Sequence, residues 1–344
     1  MNRCCRRSKI LAGLYLAMAV TLFWPLANGV LAAPVCKKAI PKITFSNLSP
    51  PFKDYEYFQN RRQFPFAYNA TTFSLVNAWW LAEASMLVYA DEAYVDQRFA
   101  KAGLGRIRFF NRSGTQCFLA ANDRFAIVAF RGSEIWKRGD PFDPHRILAD
   151  LTTNIDVRLS EWYRGGRVHH GFKTALDEVW EELQSEILAL QAQGLKIWIT
   201  GHSLGAALAT LAGDRLTQVQ GVYTFGSPRV GDNQFQNAYT PKTFRVVNGR
   251  DIVASLPLKK PYYHVGELIP IDSQGRVHYR HAAFGNNWPF PSQEDTEADA
   301  HHRDPATIDS TVLIPRSIRD HVPLLYATLL WNELAARYSA AGDL

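Results

Sequence analysis

The chain has 344 residues, enough for one large α/β domain or two smaller ones, and its 47% hydrophobic and 20% charged residues suit a globular protein with a sizeable core. Its net charge is +6, but four basic residues lie within the first 33 positions, where no acid occurs. The rest of the chain, with 34 basic and 32 acidic residues, is nearly neutral. It therefore offers no strong field for phosphate backbones, which argues against a nucleic-acid-binding protein.

The first 33 residues are typical of an export signal. A basic start precedes an apolar run over residues 10–24, and small residues then favour cleavage after Gly29 or Ala32. The alternative is an uncleaved anchor, because the apolar stretch continues to Ala33 and is nearly long enough to span a bilayer. We predict an exported protein, secreted or periplasmic, with N-terminal membrane anchoring as the alternative.

Two cysteines, Cys36 and Cys117, remain in the chain after the signal. Because exported proteins pass through an oxidising compartment, we expect these two residues to form one disulfide. The alternative is two reduced, buried thiols.

The remaining chain predicts alternating strands and helices after an irregular start. Residues 34–72 are broken by prolines and predict an extended N-terminal arm over the body. Apolar periodicity then predicts a helix over 74–90, strands over 115–123 and 124–133, a helix over 171–194, a strand over 195–200, a helix from Ser203 to about 219, strands over 221–228 and 243–251, and a helix over 321–338. The alternation favours one α/β domain over 73–344, with a central, mostly parallel sheet flanked by helices. The polar, proline-rich residues 286–310 are expected to form a surface excursion.

A serine between two glycines marks the boundary between a buried strand and a helix. Gly201, His202, Ser203, Leu204 and Gly205 match the G-x-S-x-G nucleophile elbow, in which a strained serine projects its hydroxyl from the sheet edge. Side chains two residues to either side of the serine would collide, which explains the glycines. The alternative is an ordinary serine that caps a helix.

A serine nucleophile needs a histidine base and an orienting carboxylate, which follow it on this fold in the order acid, then histidine. Asp251 directly follows a predicted strand, where sheets of this kind build their sites, and is our candidate acid. Asp232 and Asp272 are the rivals: Asp232 fits a helix cap, and Asp272 fits a hairpin turn.

His321 lies in a loop just before the last helix and is our candidate base, with His264 as the second choice. His264 lies in a strand-like segment, where a structural role is expected. The other histidines that follow the candidate acid are His278, His281, His301 and His302.

The developing oxyanion needs two donors. One is the backbone N–H of Leu204, directly after the nucleophile. The other is expected from the loop after residues 124–130, where Gly132 permits a tight turn and Ser133 offers both an N–H and a hydroxyl.

Several motifs together resemble fungal-type class 3 lipases over about residues 73–326. They are AIVAFRGS, VHHGF, ITGHSLGAALATLAG, YTFGSPRVGD, FRVVNGRDIVASLP and DHVPLLY, in the order and approximate spacing of that family. The resemblance implies an α/β-hydrolase fold that cleaves carboxylic esters. It assigns Ser203, Asp251 and His321 to the triad, and Ser133 and Leu204 to the oxyanion hole.

The resemblance also points to residues around the substrate pocket. His202, His170 and Trp136 are expected to border it, with His170 mainly supporting structure. Residues 134–157 occupy the place of the family's lid but are longer and more polar, and a fixed surface loop is the alternative.

The predicted function is hydrolysis of carboxylic ester bonds in lipids by an exported serine hydrolase. The substrate is expected at a membrane or lipid-droplet surface, and no metal or organic cofactor is required. The alternatives are a lipid acyltransferase, a non-catalytic lipid-binding protein and a peptidase with the same triad. Head group, acyl length and oligomeric state are left open by the sequence.

Overall fold

A computed structural model describes residues 35–133, 158–257, 259–279 and 314–342. Within these ranges the helices are α1 Leu75–Leu87, α2 Glu92–Ala102, α3 His170–Ala192, α4 Leu204–Arg215, α5 Asn233–Ala238, α6 Arg316–Arg319 and α7 Pro323–Gly342. The strands are β1 Arg106–Asn111, β2 Gln116–Ala121, β3 Phe125–Phe130, β4 Leu159–Glu161, β5 Arg167–His169, β6 Lys196–His202, β7 Gly221–Phe225, β8 Thr243–Asn248 and β9 Glu267–Ile271. The predicted signal, residues 1–33, and the excursion at 286–310 lie outside the described residues.

Seven of the strands form one sheet in the order β1-β2-β3-β6-β7-β8-β9. The first three pair antiparallel, and β3, β6, β7, β8 and β9 pair parallel. Strands β3 and β7 are buried along their whole length, as expected for apolar runs covered on both faces. The prediction of a mostly parallel central sheet flanked by helices is confirmed.

The two faces of the sheet pack against different helices. On one face α1 and α7 meet through Trp79 and Trp331, whose ring centroids lie 5.1 Å apart, above Trp198 of β6. On the other face α3 and α4 cover Ile197 and Ile199 of the same strand. The alternation along β6 follows from the pleat, which sends successive side chains to opposite faces. Among the described residues, none of the helices combines the length and the apolar character needed to cross a membrane.

The predicted disulfide between Cys36 and Cys117 is wrong. Cys117 is buried within β2 and belongs to the core under α3 and α4. The carbonyl of Cys36 accepts a hydrogen bond from Trp331 Nε1 of α7 at 3.0 Å, which places Cys36 on the opposite face of the sheet. The sheet therefore separates two cysteines that the cysteine count alone suggested as partners.

The segment 35–72, predicted as an arm over the body, contributes side chains to the main core. Phe58 is only 1% exposed and packs against Trp80 and Phe99. Its backbone N–H donates to Glu83, a fully buried carboxylate of α1 that also accepts a 2.7 Å hydrogen bond from Tyr55 Oη. Burial raises the pKa of Glu83, and these donors oppose that shift. The segment is thus fastened by both apolar packing and a buried polar group.

We expect Phe58→Ala to lower the free energy of unfolding by about 3–5 kcal/mol, because it leaves a cavity between the arm and α1. Urea denaturation followed by circular dichroism measures the change. Leu188→Ala is the matched control, since Leu188 is 49% exposed and its truncation should have little effect. Equal stability of the two variants would show that the arm does not belong to the folded core.

Candidate active site

Ser203 occupies a sharp turn between β6 and α4 with a backbone conformation of φ 59° and ψ −129°. A positive φ is uncommon for a residue with a side chain and costs of order 1–3 kcal/mol, so the surrounding structure must hold it. Part of that support is the backbone N–H of Ser203, which donates to the carbonyl of Phe225 at the end of β7 at 3.0 Å. The turn has the geometry that the G-x-S-x-G pattern predicts.

The glycines beside Ser203 are required by close backbone contacts. A Cβ at Gly201 would lie 2.1 Å from the carbonyl oxygen of Gly205, and a Cβ at Gly205 would lie 2.2 Å from that of Phe130. The expected collision of side chains two residues to either side of the serine is confirmed. Helix α4 can therefore begin directly against the ends of β3 and β6.

Asp251 and His321 meet in a buried hydrogen bond. Asp251 follows β8, and its Oδ2 accepts from His321 Nδ1 at 2.8 Å, while its Oδ1 accepts from the Val253 N–H at 2.9 Å. Burial alone would raise the pKa of Asp251, but the adjacent imidazole and the donated hydrogen bonds outweigh it and hold the pKa below its ordinary value. The carboxylate therefore stays ionised beside the imidazole.

Tyr326 is a member of this cluster that the sequence did not assign to the site. Its hydroxyl donates to Asp251 Oδ2 at 2.5 Å and accepts from the Asn248 N–H at 3.0 Å. Burial and the neighbouring carboxylate raise the pKa of Tyr326 well above its ordinary value, so the phenol keeps its proton and remains a donor. The sequence motif DHVPLLY contains this tyrosine, which follows His321 and lies in the first turns of α7.

The end of β7 carries a second unassigned residue, Gly226. It follows Phe225, the partner of the Ser203 N–H, and has φ +56°. A Cβ at Gly226 would lie 2.4 Å from Asp251 Oδ2 and 2.8 Å from His321 Nδ1. Glycine at this position lets the acid–imidazole pair lie against the strand end next to Ser203.

The reactive ends of Ser203 and His321 are both buried, and Oγ of the serine and Nε2 of the histidine make no hydrogen bond within the part of the chain that the structure describes. The rings of His321 and His202 have centroids 4.4 Å apart, so the imidazole lies beside the residue that precedes the serine. Buried polar atoms are normally paired, and unpaired ones call for a functional explanation.

His202 holds the backbone of His321 in place. Its Nε2 donates to the His321 carbonyl at 2.6 Å, and its Nδ1 lies 3.5 Å from Tyr89 Oη. Burial, with the neighbouring His321, lowers the pKa of His202 to about 3, so this ring is neutral. His202 also lines a small cavity with Ser133.

Tyr89 also fixes the loop that follows β3. Its hydroxyl accepts from the Gly132 N–H at 3.1 Å. A Cβ at Gly132 would lie 3.2 Å from Ser203 Cβ, so this loop passes directly beside the serine. The loop thereby brings Ser133 next to the turn at Ser203.

Of the two remaining pocket candidates, the structure describes His170 but not Trp136. His170 is the first residue of α3, and its Nδ1 lies 2.6 Å from Ser160 Oγ of β4, a contact that fastens the helix to the β4–β5 hairpin. Trp136 lies outside the described residues, as does the rest of the predicted lid.

The rival acids and bases have other partners. Asp232 caps α5 through the Phe235 N–H, and Asp272 accepts from Arg276 and His278 in a turn. His264 Nε2 donates to the Ala254 carbonyl at 2.7 Å. The other histidines, His281, His301 and His302, lie outside the described residues.

The sheet order, the strained serine after a central parallel strand and the acid–imidazole pair on later loops define an α/β-hydrolase fold. Residues 127–260 match the sequence model of the family described as lipase (class 3). Over these residues the chain is similar to class 3 lipases of the fungal type.

Individual relatives match parts of the chain. A lipase of Rhizomucor miehei is 40% identical over 161 residues, which cover 42% of this chain and 41% of the relative. Lipase ZK262.3 of Caenorhabditis elegans is 37% identical over 108 residues, covering 28% and 31%. The solved triacylglyceride lipase of Rhizomucor miehei aligns at 28% identity with a TM-score of 0.42, over 50% of this chain and 67% of that one. The chain spans less than half the length of these two curated relatives.

We expect Gly205→Ala to lower the free energy of unfolding by several kcal/mol or to prevent folding, because the added methyl group would press on the Phe130 carbonyl. Thermal and urea denaturation measure the loss. Gly105→Ala is the matched control, since a Cβ there meets no atom within 4 Å and the residue has no positive φ. A Gly205→Ala variant as stable as the control would contradict the close packing of α4 on the sheet.

Proposed function

We propose that this chain hydrolyses carboxylic ester bonds of lipids, with Ser203 as nucleophile, His321 as general base and Asp251 as the orienting acid. The observation that carries the proposal is the buried Asp251–His321 hydrogen bond beside a serine held in a strained turn. The ionised Asp251 carboxylate accepts a hydrogen bond from His321 Nδ1. This bond keeps the proton on Nδ1 and leaves Nε2 as the basic nitrogen. Both Nε2 and the serine hydroxyl are buried and unpaired among the described residues, which suits two groups that exchange a proton.

In the first half of the reaction, His321 takes the proton from Ser203 as the oxygen attacks the acyl carbonyl. The imidazolium that forms is stabilised by Asp251, whose own charge is kept by the hydrogen bonds from His321 and Tyr326. The histidine then gives its proton to the alcohol that leaves, and the acyl group remains on the serine.

The negative oxygen of the tetrahedral intermediate requires donors that are fixed before the reaction. We assign this role to the backbone N–H of Leu204 and to Ser133. The position of Leu204 at the start of α4 supports the assignment, since the helix dipole favours negative charge at that end. Tyr89 supports it as well, because its bond to the Gly132 N–H fixes the loop that carries Ser133.

In the second half, water attacks the acyl-enzyme after His321 removes its proton, and the carboxylic acid is released. Each step uses a side chain or backbone group of this chain together with water, and no metal or organic cofactor enters the proposal.

The names of the relatives suggest glycerolipid esters as the substrate class. A protein of Fusarium solani that is 37% identical over 112 residues is named a secreted mono- and diacylglycerol lipase, and one of rice that is 32% identical over 190 residues is named a phospholipase A1. With the basic, apolar start of the chain, these names support export and action on lipid at a membrane or droplet surface. We propose an acylglycerol or phospholipid ester as the substrate.

Nucleophile identity is tested with a fluorescent fluorophosphonate. We expect one covalent adduct, on the peptide that contains Ser203, and none on Ser203→Ala, because only an activated serine attacks phosphorus rapidly. Ser113→Ala, which changes an exposed serine between β1 and β2, is the matched control and should still be labelled. Hydrolysis of p-nitrophenyl esters should disappear with Ser203→Ala while its circular dichroism spectrum is unchanged. A folded, unlabelled native chain would favour a non-catalytic lipid-binding protein.

The acid is tested by comparing two carboxylates. We expect Asp251→Asn to lower kcat about 10⁴-fold, because the amide no longer fixes the imidazole tautomer. Asp272→Asn, at the rival position, should keep kcat within about twofold. Ester hydrolysis by both variants at pH 8 measures the effect. Full activity of Asp251→Asn would overturn the assignment, and products formed from an added alcohol in place of water would indicate an acyltransferase.

A further inference from the structure

A cavity of about 510 Å³ lies at the carboxyl ends of β8 and β9, enclosed by residues 40–45, the turn at 272–275 and helices α6 and α7. Ligand pockets commonly have volumes of about 300–1,000 Å³. None of the roles proposed above uses this cavity. Its wall nevertheless includes Asp320, the residue directly before His321.

One part of the cavity wall is apolar. Ile43 from the arm and Leu325 and Leu329 from α7 are buried there, while Ile40 is 59% exposed at the entrance. A large aliphatic side chain left mostly in water beside an apolar wall suits a ligand with a hydrocarbon portion.

The other part of the wall carries more positive than negative charge. Lys42, Arg316 and Arg319 face two carboxylates, Asp320 and Asp272. The Nε atoms of Arg316 and Arg319 lie 3.5 and 3.8 Å from oxygens of Asp320. The side chains of both arginines are 45% exposed, so their remaining N–H groups can reach a ligand.

Both carboxylates of the wall are already engaged. Asp272 accepts hydrogen bonds from Arg276 and His278 at 2.8 and 2.9 Å. Asp320 accepts from the Arg250 N–H at 3.0 Å, in addition to its contacts with the two arginines. Arg276, which is not part of the wall, offsets Asp272, and Asp320 offsets only one of its two arginines, so the wall keeps a net positive charge and favours an anion.

We propose that this cavity binds a single-chain amphiphile with an anionic head group, of which a fatty acid carboxylate is the representative. The tail lies along Ile43, Leu325 and Leu329, and the carboxylate meets Arg316 and Arg319, whose planar guanidinium groups match it. That this ligand is also the product of the chain's own reaction rests on the proposed function, whereas the binding itself does not.

The cavity is connected to the acid–imidazole pair by a short chain of hydrogen bonds. Asn248 in the wall donates its side-chain N–H to the Asp320 carbonyl at 2.9 Å, and its backbone N–H donates to Tyr326 Oη. Tyr326 in turn donates to Asp251. These bonds join the cavity wall to the segment that holds His321.

The test is titration calorimetry of laurate, below its micelle concentration, into two forms of the full chain. In one form, a long-chain alkyl fluorophosphonate is attached to Ser203 and its alkyl chain fills the acyl groove. The other form is the unlabelled Ser203→Ala variant. We expect saturable binding of one laurate per chain in the labelled form, and the same arginine-dependent binding in Ser203→Ala. Decanoate, which is two methylenes shorter, should bind about sixteenfold more weakly, since each methylene contributes about fourfold, and neutral dodecanol at least tenfold more weakly.

Two pairs of arginine substitutions locate the site. Arg316→Gln with Arg319→Gln should weaken laurate binding about tenfold. The control is Arg108→Gln with Arg112→Gln, which removes two arginines of similar exposure that are ion-paired near the opposite edge of the sheet, and it should leave binding unchanged. Equal binding by both double variants, or dodecanol binding as tightly as laurate, would overturn the proposal. Failure of fluorophosphonate labelling with intact, arginine-dependent laurate binding would remove the proposed function and leave the cavity proposal standing.

Discussion

The close approach of backbones around Ser203 is the constraint on which the rest of the site depends. Strand β6, the end of β3 and the start of α4 come so near to one another that Gly201 and Gly205 have no space for a methyl group. This packing holds the serine at a positive φ that it would otherwise avoid, at a cost of order 1–3 kcal/mol. The burial of the central strands between two helical layers offsets that cost and keeps the turn rigid.

His321, the proposed base, is held in place by a buried polar network. His202 and Asp251 hold opposite ends of His321, one through its backbone carbonyl and the other through its ring. Such a network is stable in a low-dielectric interior only when its charges are compensated. The low pKa of His202 keeps that ring neutral, while donors hold the pKa of Asp251 low enough to keep its charge. The network thus places the Asp251 carboxylate beside the ring on which an imidazolium would form.

The N-terminal arm links the core to two of the cavities in the structure. Residues 48–50 border the small cavity next to Ser133, and residues 40–45 enclose the larger one beside α6 and α7. Glu83 fastens the arm to α1 through the Phe58 N–H and the Tyr55 hydroxyl. The arm is therefore part of the walls of the candidate sites and not only a covering of the core.

The sequence by itself determined the elbow at Ser203, the position of Asp251 after β8 and the alternation of strands and helices, because neighbouring residues and apolar periodicity are enough to identify each of these features. It did not reveal α2, β1 or the β4–β5 hairpin, whose short or charged segments carry weak periodicity. Tertiary structure alone decided that Tyr326 reaches Asp251, that Gly226 makes room for the acid–imidazole pair, and that the sheet separates Cys36 from Cys117. These facts depend on which residues from distant parts of the chain share one face of the sheet, and local patterns do not encode that.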